Sequence, residues 1–340
     1  MIILKFGGSS IRDSSHIKNV TSIVNLKLRE NNIAVVFSAM KGVTSKLHNL
    51  AKNAAEGDPY IDDLEKLALI HKVCIKELSL KKSLKSIMKY FEVLASDLTD
   101  ISNKNHLSSQ ALDKVLSYGE ILSTTIITDL FNEQNIDSDQ LITRDIIITD
   151  NNFGKAYVHF QKSFKKIRDH FNKHKKIQVI TGFIGSSIEG EITTLGRNGS
   201  DYTATLIGTA LDADSIEIWS DVNGVLSTNP IFTKGARTIP RLTYEEAMEL
   251  AHAGAEILFP PSIIPVLYKN IPIKIKNTLD PEHPGTEILN KKQKTDPIVG
   301  ISSLNKISLI RLQGAGLIDR KGTIGRIFSS LAMSKINIKL

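Results

Sequence analysis

The sequence contains little cysteine and no long hydrophobic run, and each absence excludes a class of protein. Cys74 is the one cysteine among 340 residues, so an intrachain disulfide is excluded and a reducing compartment is expected. No apolar run approaches the roughly 18 residues that a membrane-spanning helix requires. The apolar start MIIL is too short for a signal peptide. We therefore expect a cytoplasmic protein with no membrane partner.

Aromatic residues are also scarce, at 6% of the chain, whereas basic residues outnumber acidic ones and give a formal net charge of +7. A basic surface can attract nucleic acid, but single strands are usually held by aromatic side chains interleaved with the basic ones. The lysines here are spread along predicted helices and loops instead. We expect no nucleic-acid partner and a weak attraction for small anions.

Short apolar runs alternate with longer helical patterns over the first 290 residues. The runs at 2–6, 33–37, 177–180 and 215–219 are rich in β-branched residues, which is typical of buried parallel strands. The helical patterns cover residues 14–30, 60–80, 83–98, 109–133, 157–174, 200–212 and 243–253. This alternation predicts an α/β fold in which helices cover both faces of a mainly parallel sheet, giving three αβα layers.

The chain is predicted to divide at a polar, lysine-rich stretch. We expect a main domain over 1–290 with a helical insertion at 57–108, a linker over 291–297, and a small domain over 298–340. The small domain reads as a single strand, helix and strand. Such a unit leaves a sheet edge uncovered, so it must dock on the main domain, pair with another chain, or be part of something longer.

The opening KFGGSS follows the first predicted strand directly. Glycines let backbone N–H groups approach an anion closely, and Lys5 adds a positive charge, so Gly7, Gly8 and Ser9 suit a phosphate-binding loop. A simple tight turn explains the same residues. Because ligands of parallel sheets bind at the carboxyl ends of strands, KFGG, SAMKG, TGFIG and WSDVNG are expected to meet at one crevice.

The stretch TTLGRNGSDYTA places a glycine-rich loop before a predicted helix. The free N–H groups of a helix N-terminus attract anions, and Arg197 suits bidentate recognition of a carboxylate. Ser200 or Asp201 would cap the helix, and a capped helix after a turn is the plainer interpretation.

Glu120 falls on the apolar stripe of a long predicted helix, in line with Leu112 and Leu116. A carboxylate there is unfavourable unless a cation or hydrogen-bond donors accompany it. A structural salt bridge and a ligand amine are both open as partners.

A third candidate site follows the strand at 215–219. Asp221 comes directly after this strand and before an Asn-Gly turn. The stretch reads either as a hairpin turn or as a nucleotide-binding loop.

Taken in order, KFGGSS, SAMKGVTSKL, SYGEILS, TTLGRNGSDYTA, WSDVNGV and EEAMELAHAGAEILFPPSIIPV resemble the aspartate kinases of the amino-acid kinase superfamily. The last motif is similar to the kinase half of bifunctional aspartokinase–homoserine dehydrogenases. The resemblance covers about residues 1–290. The terminal unit is similar to the first half of an ACT domain, the ligand-sensing module of these enzymes.

The resemblance implies transfer of the ATP γ-phosphoryl group to the side chain of L-aspartate, the first step toward lysine, threonine and methionine. It implies Mg²⁺ bridging the ATP phosphates and a possible feedback amino acid, threonine or lysine. We expect no metal site formed by the protein itself, and the uncovered half-sheet of the terminal unit favours a homo-oligomer. The residues it assigns are Lys5 and Asp201 for catalysis, Thr44, Glu120, Arg197 and Ser200 for aspartate, and Gly7, Gly8, Ser9, Ser220 and Asp221 for the nucleotide.

The chain departs from the family pattern on the ATP side. Where the family usually reads YTxDPR, this chain has Leu226, Asn229 and Ile231, and where GAK(V/I)LHP is usual it has Glu256 and Phe259. A unit charge about 6 Å from a phosphate is worth roughly 3 kcal/mol at an effective dielectric constant of about 20, so we expect reduced ATP affinity. A catalytically impaired relative that acts as a regulatory or amino-acid-binding subunit is the alternative function. A sister kinase acting on another carboxylate, carbamate or nucleotide is the third, and the pairing of a glutamate with an arginine favours an amino acid.

Overall fold

The computed structural model describes residues 1–255, 260–291, 298–303, 308, 311, 322–334 and 336. Internal contacts divide the chain into one unit over Met1–Ser303 and a second over Leu304–Leu340. Within the second unit the described helix spans Thr323–Met333, the range read from the sequence. The predicted linker and the predicted strands at 307–313 and 336–340 fall largely outside the described residues.

The first unit is built on a central sheet with a smaller sheet beside it. In the described part the strands are β1 (Ile2–Phe6), β2 (Ile33–Phe37), β3 (Ser138–Leu141), β4 (Ile148–Thr149), β5 (Ile177–Thr181), β6 (Ile184–Ser187), β7 (Ile192–Thr194), β8 (Ser215–Ser220), β9 (Arg241–Thr243), β10 (Ile273–Asn277) and β11 (Thr286–Leu289). The central sheet has the order β3-β5-β2-β1-β8-β10-β11-β9, and β4-β6-β7 form the smaller one. The central pairings are parallel except that of β10 with β11.

Helices cover both faces of the central sheet. The described ones in this unit are α1 (Ser14–Leu28), α2 (Val43–Glu56), α3 (Ile61–Glu77), α4 (Ser83–Lys104), α5 (Ser109–Glu133), α6 (Phe160–Lys173), α7 (Gly199–Ala210), α8 (Tyr244–His252) and α9 (Pro260–Leu267). We number the helix of the second unit α10. The predicted three-layer αβα fold with a mainly parallel sheet is confirmed. None of the described helices combines the length and apolar character that a bilayer span requires.

The pleat of β1 decides which core each of its side chains enters. Leu4 and Phe6 pack in the core that α1, α2 and α5 share, whereas Ile3 packs on the opposite face with residues of α7. Because side chains alternate along a strand, Lys5 lies on the α7 face, where Asp201 is in the first turn of the helix. A central strand therefore places a charged side chain near the carboxyl end of the sheet. The N-cap of α7 is Asn198, so the prediction that Ser200 or Asp201 caps this helix is wrong.

The segment 57–108 forms α3 and α4, which pack on α2 and α5 and enlarge one core with Leu67, Phe91 and Leu94. The sequence reading missed α2, whose Val43 and Leu47 are buried although glycine and polar residues precede them. It also missed α9, which tolerates Pro265 in its second turn.

Candidate functional site

A cavity of about 690 Å³ opens where β1 and β2 end. It is bounded by the loops that follow these strands, by one face of α5, and by the start of α7. The sequence-predicted residues that line it are Lys5, Gly7, Gly8, Ser9, Thr44, Glu120, Arg197 and Ser200. Residues from four separate parts of the chain therefore share one cavity.

Lys5 is held at the floor of the cavity by Asp201. The Lys5 Nζ lies 2.6 Å from Asp201 Oδ1, and the side chains are only 11% and 8% exposed. The carboxylate lies in the first turn of α7, where the helix dipole stabilises a negative charge. The pair fixes the ammonium beside the glycine loop, 3.5 Å from where a Cβ on Gly7 would lie.

The glycine loop packs against the loop after β2 more closely than a side chain allows. A Cβ on Gly8 would lie 2.7 Å from the Ala39 carbonyl oxygen, closer than real Cβ atoms approach. The Gly7 N–H donates to the Trp219 carbonyl at the end of β8, which ties the loop to the neighbouring strand. The two loops thus form one continuous wall of backbone.

Glu120 places a buried carboxyl group against the loop that follows β2. The residue is 3% exposed. Its Oε1 accepts a hydrogen bond of 3.1 Å from the Ala39 N–H, whereas its buried Oε2 has no hydrogen-bond partner among the described residues. Burial raises the pKa of Glu120 to about 8. The geometry therefore leaves one oxygen ready for a cationic or hydrogen-bonding ligand.

Arg197 also lines the cavity, from the loop before α7. Its side chain is exposed and makes no ion pair within the described part of the chain. Asn198, which follows it, has a φ of +54°, and Ser200 packs so tightly on Gly182 that a Cβ there would lie 2.3 Å from the Ser200 Oγ. The start of α7 is therefore closely packed, whereas the Arg197 side chain beside it is exposed.

Sequence reasoning missed further lining residues. Phe183 lies within the quoted loop TGFIG and has a φ of +69°, which is strained for an aromatic residue. Its N–H donates to Thr203 Oγ1 on α7 at 3.0 Å. Ser38, Lys41 and Asp113 also line the cavity. The one available signal was that Asp113 falls on the same face of α5 as Glu120, seven residues earlier.

The residues predicted for the nucleotide side are only partly brought together. Ser220 ends β8 and Asp221 follows it as an exposed residue, and neither lines the cavity. Leu226 forms an isolated bridge with Thr238. Ile231 is 85% exposed. Glu256 and Phe259 lie outside the described residues.

Among the described residues no three His, Cys, Asp or Glu side chains are grouped as a metal site.

Comparison with known proteins assigns the fold to a family. Residues 1–277 match the model of the amino acid kinase family. The chain belongs to that family. Its relatives include aspartokinases and bifunctional aspartokinase/homoserine dehydrogenases, which confirms the resemblance read from the motifs.

The sequence identity to individual relatives is low, but the matches extend over nearly the whole chain. The chain is 32% identical to aspartokinase 1, chloroplastic, of Arabidopsis thaliana over 96% of its own length and 59% of that protein. All of it matches E. coli aspartokinase III in complex with aspartate and ADP, with a TM-score of 0.85, 26% identity and 76% of that chain covered. The same enzyme with lysine and aspartate matches with a TM-score of 0.78, 27% identity and the same coverage of both chains. The chain spans 59 to 62% of the three Arabidopsis aspartokinases.

Proposed function

We propose that this protein is an aspartate kinase, which transfers the γ-phosphoryl group of ATP to the side-chain carboxylate of L-aspartate to give 4-phospho-L-aspartate. The observation that carries the proposal is that Lys5, Glu120 and Arg197 line one cavity. The complex of E. coli aspartokinase III with aspartate and ADP supports the choice of both substrates.

Aspartate has one amine and two carboxylates, and the cavity offers a complementary charge for each end. The unpartnered Oε2 of Glu120 would accept the α-ammonium, whose positive charge would draw the proton off the glutamate. Arg197 would hold a carboxylate with two parallel hydrogen bonds. Thr44 and Ser200 would donate hydroxyl hydrogen bonds.

The reaction needs no general base, because the attacking carboxylate is already ionised at neutral pH. A carboxylate oxygen forms a bond to the γ-phosphorus, the bond from that phosphorus to the bridging oxygen breaks, and ADP leaves with the electron pair. Lys5 would neutralise charge on the transferring group, with Asp201 holding its ammonium in place. The rate then depends on positioning and on charge neutralisation.

The glycine loop would hold the phosphates through the backbone N–H groups of Gly7, Gly8 and Ser9. Ser220 and Asp221 would line the nucleotide side, next to this loop, because β8 pairs with β1 and places Trp219 opposite Phe6. We propose that Mg²⁺ arrives with ATP and bridges its phosphate oxygens. That role suits a site whose described residues contain no metal cluster of their own.

A catalytically impaired, amino-acid-binding subunit is the second candidate. The observation that favours it is Ile231, an 85% exposed aliphatic side chain where the aspartate kinase pattern has an arginine. If the ATP side has decayed while the aspartate side is intact, the protein would bind aspartate without turning it over.

We also propose that an amino acid regulates the protein by feedback and that the protein forms a homo-oligomer. E. coli aspartokinase III is known with lysine and aspartate bound in its T-state. Here α10 exposes Ile324 and Phe328, an apolar pair that suits the ACT-like unit expected at the C-terminal end. We propose lysine or threonine as the effector. The test is to measure the aspartate saturation curve with and without each amino acid. The effector is expected to shift the curve.

The test is an acyl-phosphate trapping assay with ATP, Mg²⁺ and hydroxylamine. Aspartyl hydroxamate from the wild-type protein supports the kinase, provided that Lys5→Ala and Arg197→Ala abolish it. Calorimetric aspartate binding without hydroxamate supports the impaired subunit. If another carboxylate gives hydroxamate and aspartate gives none, that carboxylate is the phosphoryl acceptor and the proposal of aspartate is wrong.

A further inference from the structure

Asp113 is a buried carboxylate for which the proposed reaction has no role. It lies on α5, is 0% exposed, and lines the same cavity as Glu120. It makes no ion pair with any residue that the structure describes, and burial raises its pKa. A charge placed there without a cation must be held by hydrogen bonds.

Three hydrogen bonds hold it, and all of them come from outside its own helix. Oδ2 accepts from the N–H groups of Gly154 and Thr194, each at 2.8 Å. Oδ1 accepts from the Thr194 hydroxyl, also at 2.8 Å. One carboxylate therefore fastens the end of β7 and the loop around Gly154 to α5.

The fastened segments lead directly to Arg197. Thr194 is the last residue of β7, and Arg197 follows three positions later. Between them, Gly196 packs on the Gly154 loop so closely that a Cβ on Gly196 would lie 3.3 Å from the Gly154 carbonyl oxygen. Both supports of the arginine loop are thus attached to Asp113.

Glu120 lies seven residues further along α5, two helical turns away on the same face. The helix therefore joins Asp113 rigidly to Glu120, and the hydrogen bonds join Asp113 to the arginine loop. The distance between the glutamate and the arginine is the length that an amino acid must span.

We propose that Asp113 is a positioning residue that sets the separation of Glu120 and Arg197 and so the fit of aspartate. This inference rests on the proposed function. It predicts that loss of Asp113 weakens aspartate recognition selectively, because none of the three hydrogen bonds of Asp113 involves the glycine loop or Lys5.

Two variants distinguish the effect of the hydrogen bonds from the effect of the charge: Asp113→Ala removes both, and Asp113→Asn removes only the charge. The alanine removes the acceptor of the buried Thr194 N–H and of the Gly154 N–H and so frees the loop. KM for aspartate is therefore expected to rise by about tenfold or more, with KM for ATP unchanged within about twofold. Asparagine keeps an oxygen for both N–H groups, and its amide can donate to Thr194 Oγ1. It is expected to restore most of the affinity.

The matched control is Asp129→Ala, which removes a carboxylate from α5 that accepts the Ser83 N–H at 2.8 Å, on a side of the helix outside the cavity. It should lower the melting temperature and leave both KM values unchanged. If Asp113→Ala is unstable, Thr194→Val removes only the hydroxyl bond and should raise KM for aspartate by a smaller factor.

Equal rises in both KM values, or lower stability with unchanged KM values, would overturn the positioning role. Failure of the proposed function looks different, because the wild-type protein would then give no hydroxamate. Aspartate affinity by calorimetry supplies the same comparison of variants without turnover.

Discussion

At the scale of single residues, Glu120 shows most directly how binding opposes stability in this protein. Its carboxyl group is buried, one oxygen lacks a partner among the described residues, and its pKa is raised to about 8. The ligand-free protein would be more stable with an uncharged side chain at this position. The retained glutamate makes sense if a ligand supplies the missing positive charge.

Aspartate affinity is therefore expected to depend on pH. Below about pH 8 the free protein holds a proton on Glu120, and binding of an ammonium group must release it. The association constant should rise by up to about tenfold per pH unit between pH 6 and 8 and level off above. Titration calorimetry in two buffers of different ionisation enthalpy would measure the proton released, and Glu120→Gln should release none. Pronounced proton release by the glutamine variant would contradict this assignment.

The same residue predicts a stability change in the ligand-free protein. A folded-state pKa raised from 4.5 to about 8 means that stability present below pH 4.5 is lost as pH rises through 8. Glu120→Gln should therefore gain stability over wild type progressively across that range. Denaturant unfolding at pH 5 and pH 8.5 measures this, with Glu133→Gln at the exposed end of α5 as control. A constant difference across pH would argue against a buried, titrating Glu120.

Sequence alone could find Glu120, because a carboxylate on an apolar helical stripe is visible in the pattern. It could find Arg197, because an arginine in a glycine-rich loop before a helix is an anion-binding pattern. Phe183 could not be found this way, since its positive φ depends on packing between β6 and α7. Asp113 appears functional only when Thr194 and Gly154, distant in sequence, are seen to donate to it.

At the scale of elements, the site depends on the contact between two loops that end neighbouring strands. The Gly8 backbone meets the Ala39 carbonyl, and the Ala39 N–H binds Glu120. The glycine loop and Glu120 are thereby linked through one residue.

Gly8→Ala should disturb both sides of the cavity at once, because its Cβ would lie 2.7 Å from the Ala39 oxygen. We expect kcat/KM to fall by about tenfold or more, which corresponds to about 1.4 kcal/mol of transition-state stabilisation. Gly235→Ala is the control, since its Cβ would come no closer than 3.5 Å to its nearest neighbour, Thr233 Oγ1. Full activity of Gly8→Ala would show that the two loops can separate without loss of function.

Elements with strong periodicity were predictable, and those fixed by tertiary contacts were not. β1, β2, β5 and β8 are buried on both faces and therefore read as apolar runs. β10 alternates lysine with isoleucine, and the sequence reading gave it no strand although it pairs with β8 in the centre of the sheet. α9 contains a proline at a position where sequence rules end a helix.

At the scale of the whole molecule, the two halves of the site differ in how well they match the aspartate kinase pattern. The residues expected for aspartate gather at one cavity with the glycine loop. Further along the chain, Leu226, Asn229 and Ile231 replace residues that the aspartate kinase pattern has on the ATP side. If the proposed function holds, these replacements decide whether the protein phosphorylates aspartate or only binds it.

Ile231→Arg, alone and with Glu256→Lys, is therefore expected to raise ATP affinity. Ile231 is 85% exposed, so the change disturbs no core packing, and an added positive charge near a phosphate can strengthen binding by about tenfold. Ile188→Arg, at a 56% exposed position in the turn after β6, is the matched control. Nucleotide titration that shows equal affinity for all variants would mean that this loop does not reach the phosphates.

The most direct test of the central claim is a crystal structure of the protein with L-aspartate bound. The account predicts the α-ammonium within hydrogen-bonding distance of Glu120 Oε2, a carboxylate on the Arg197 guanidinium, and the reacting carboxylate turned toward Lys5. Aspartate bound elsewhere, or with its ammonium directed away from Glu120, would contradict it.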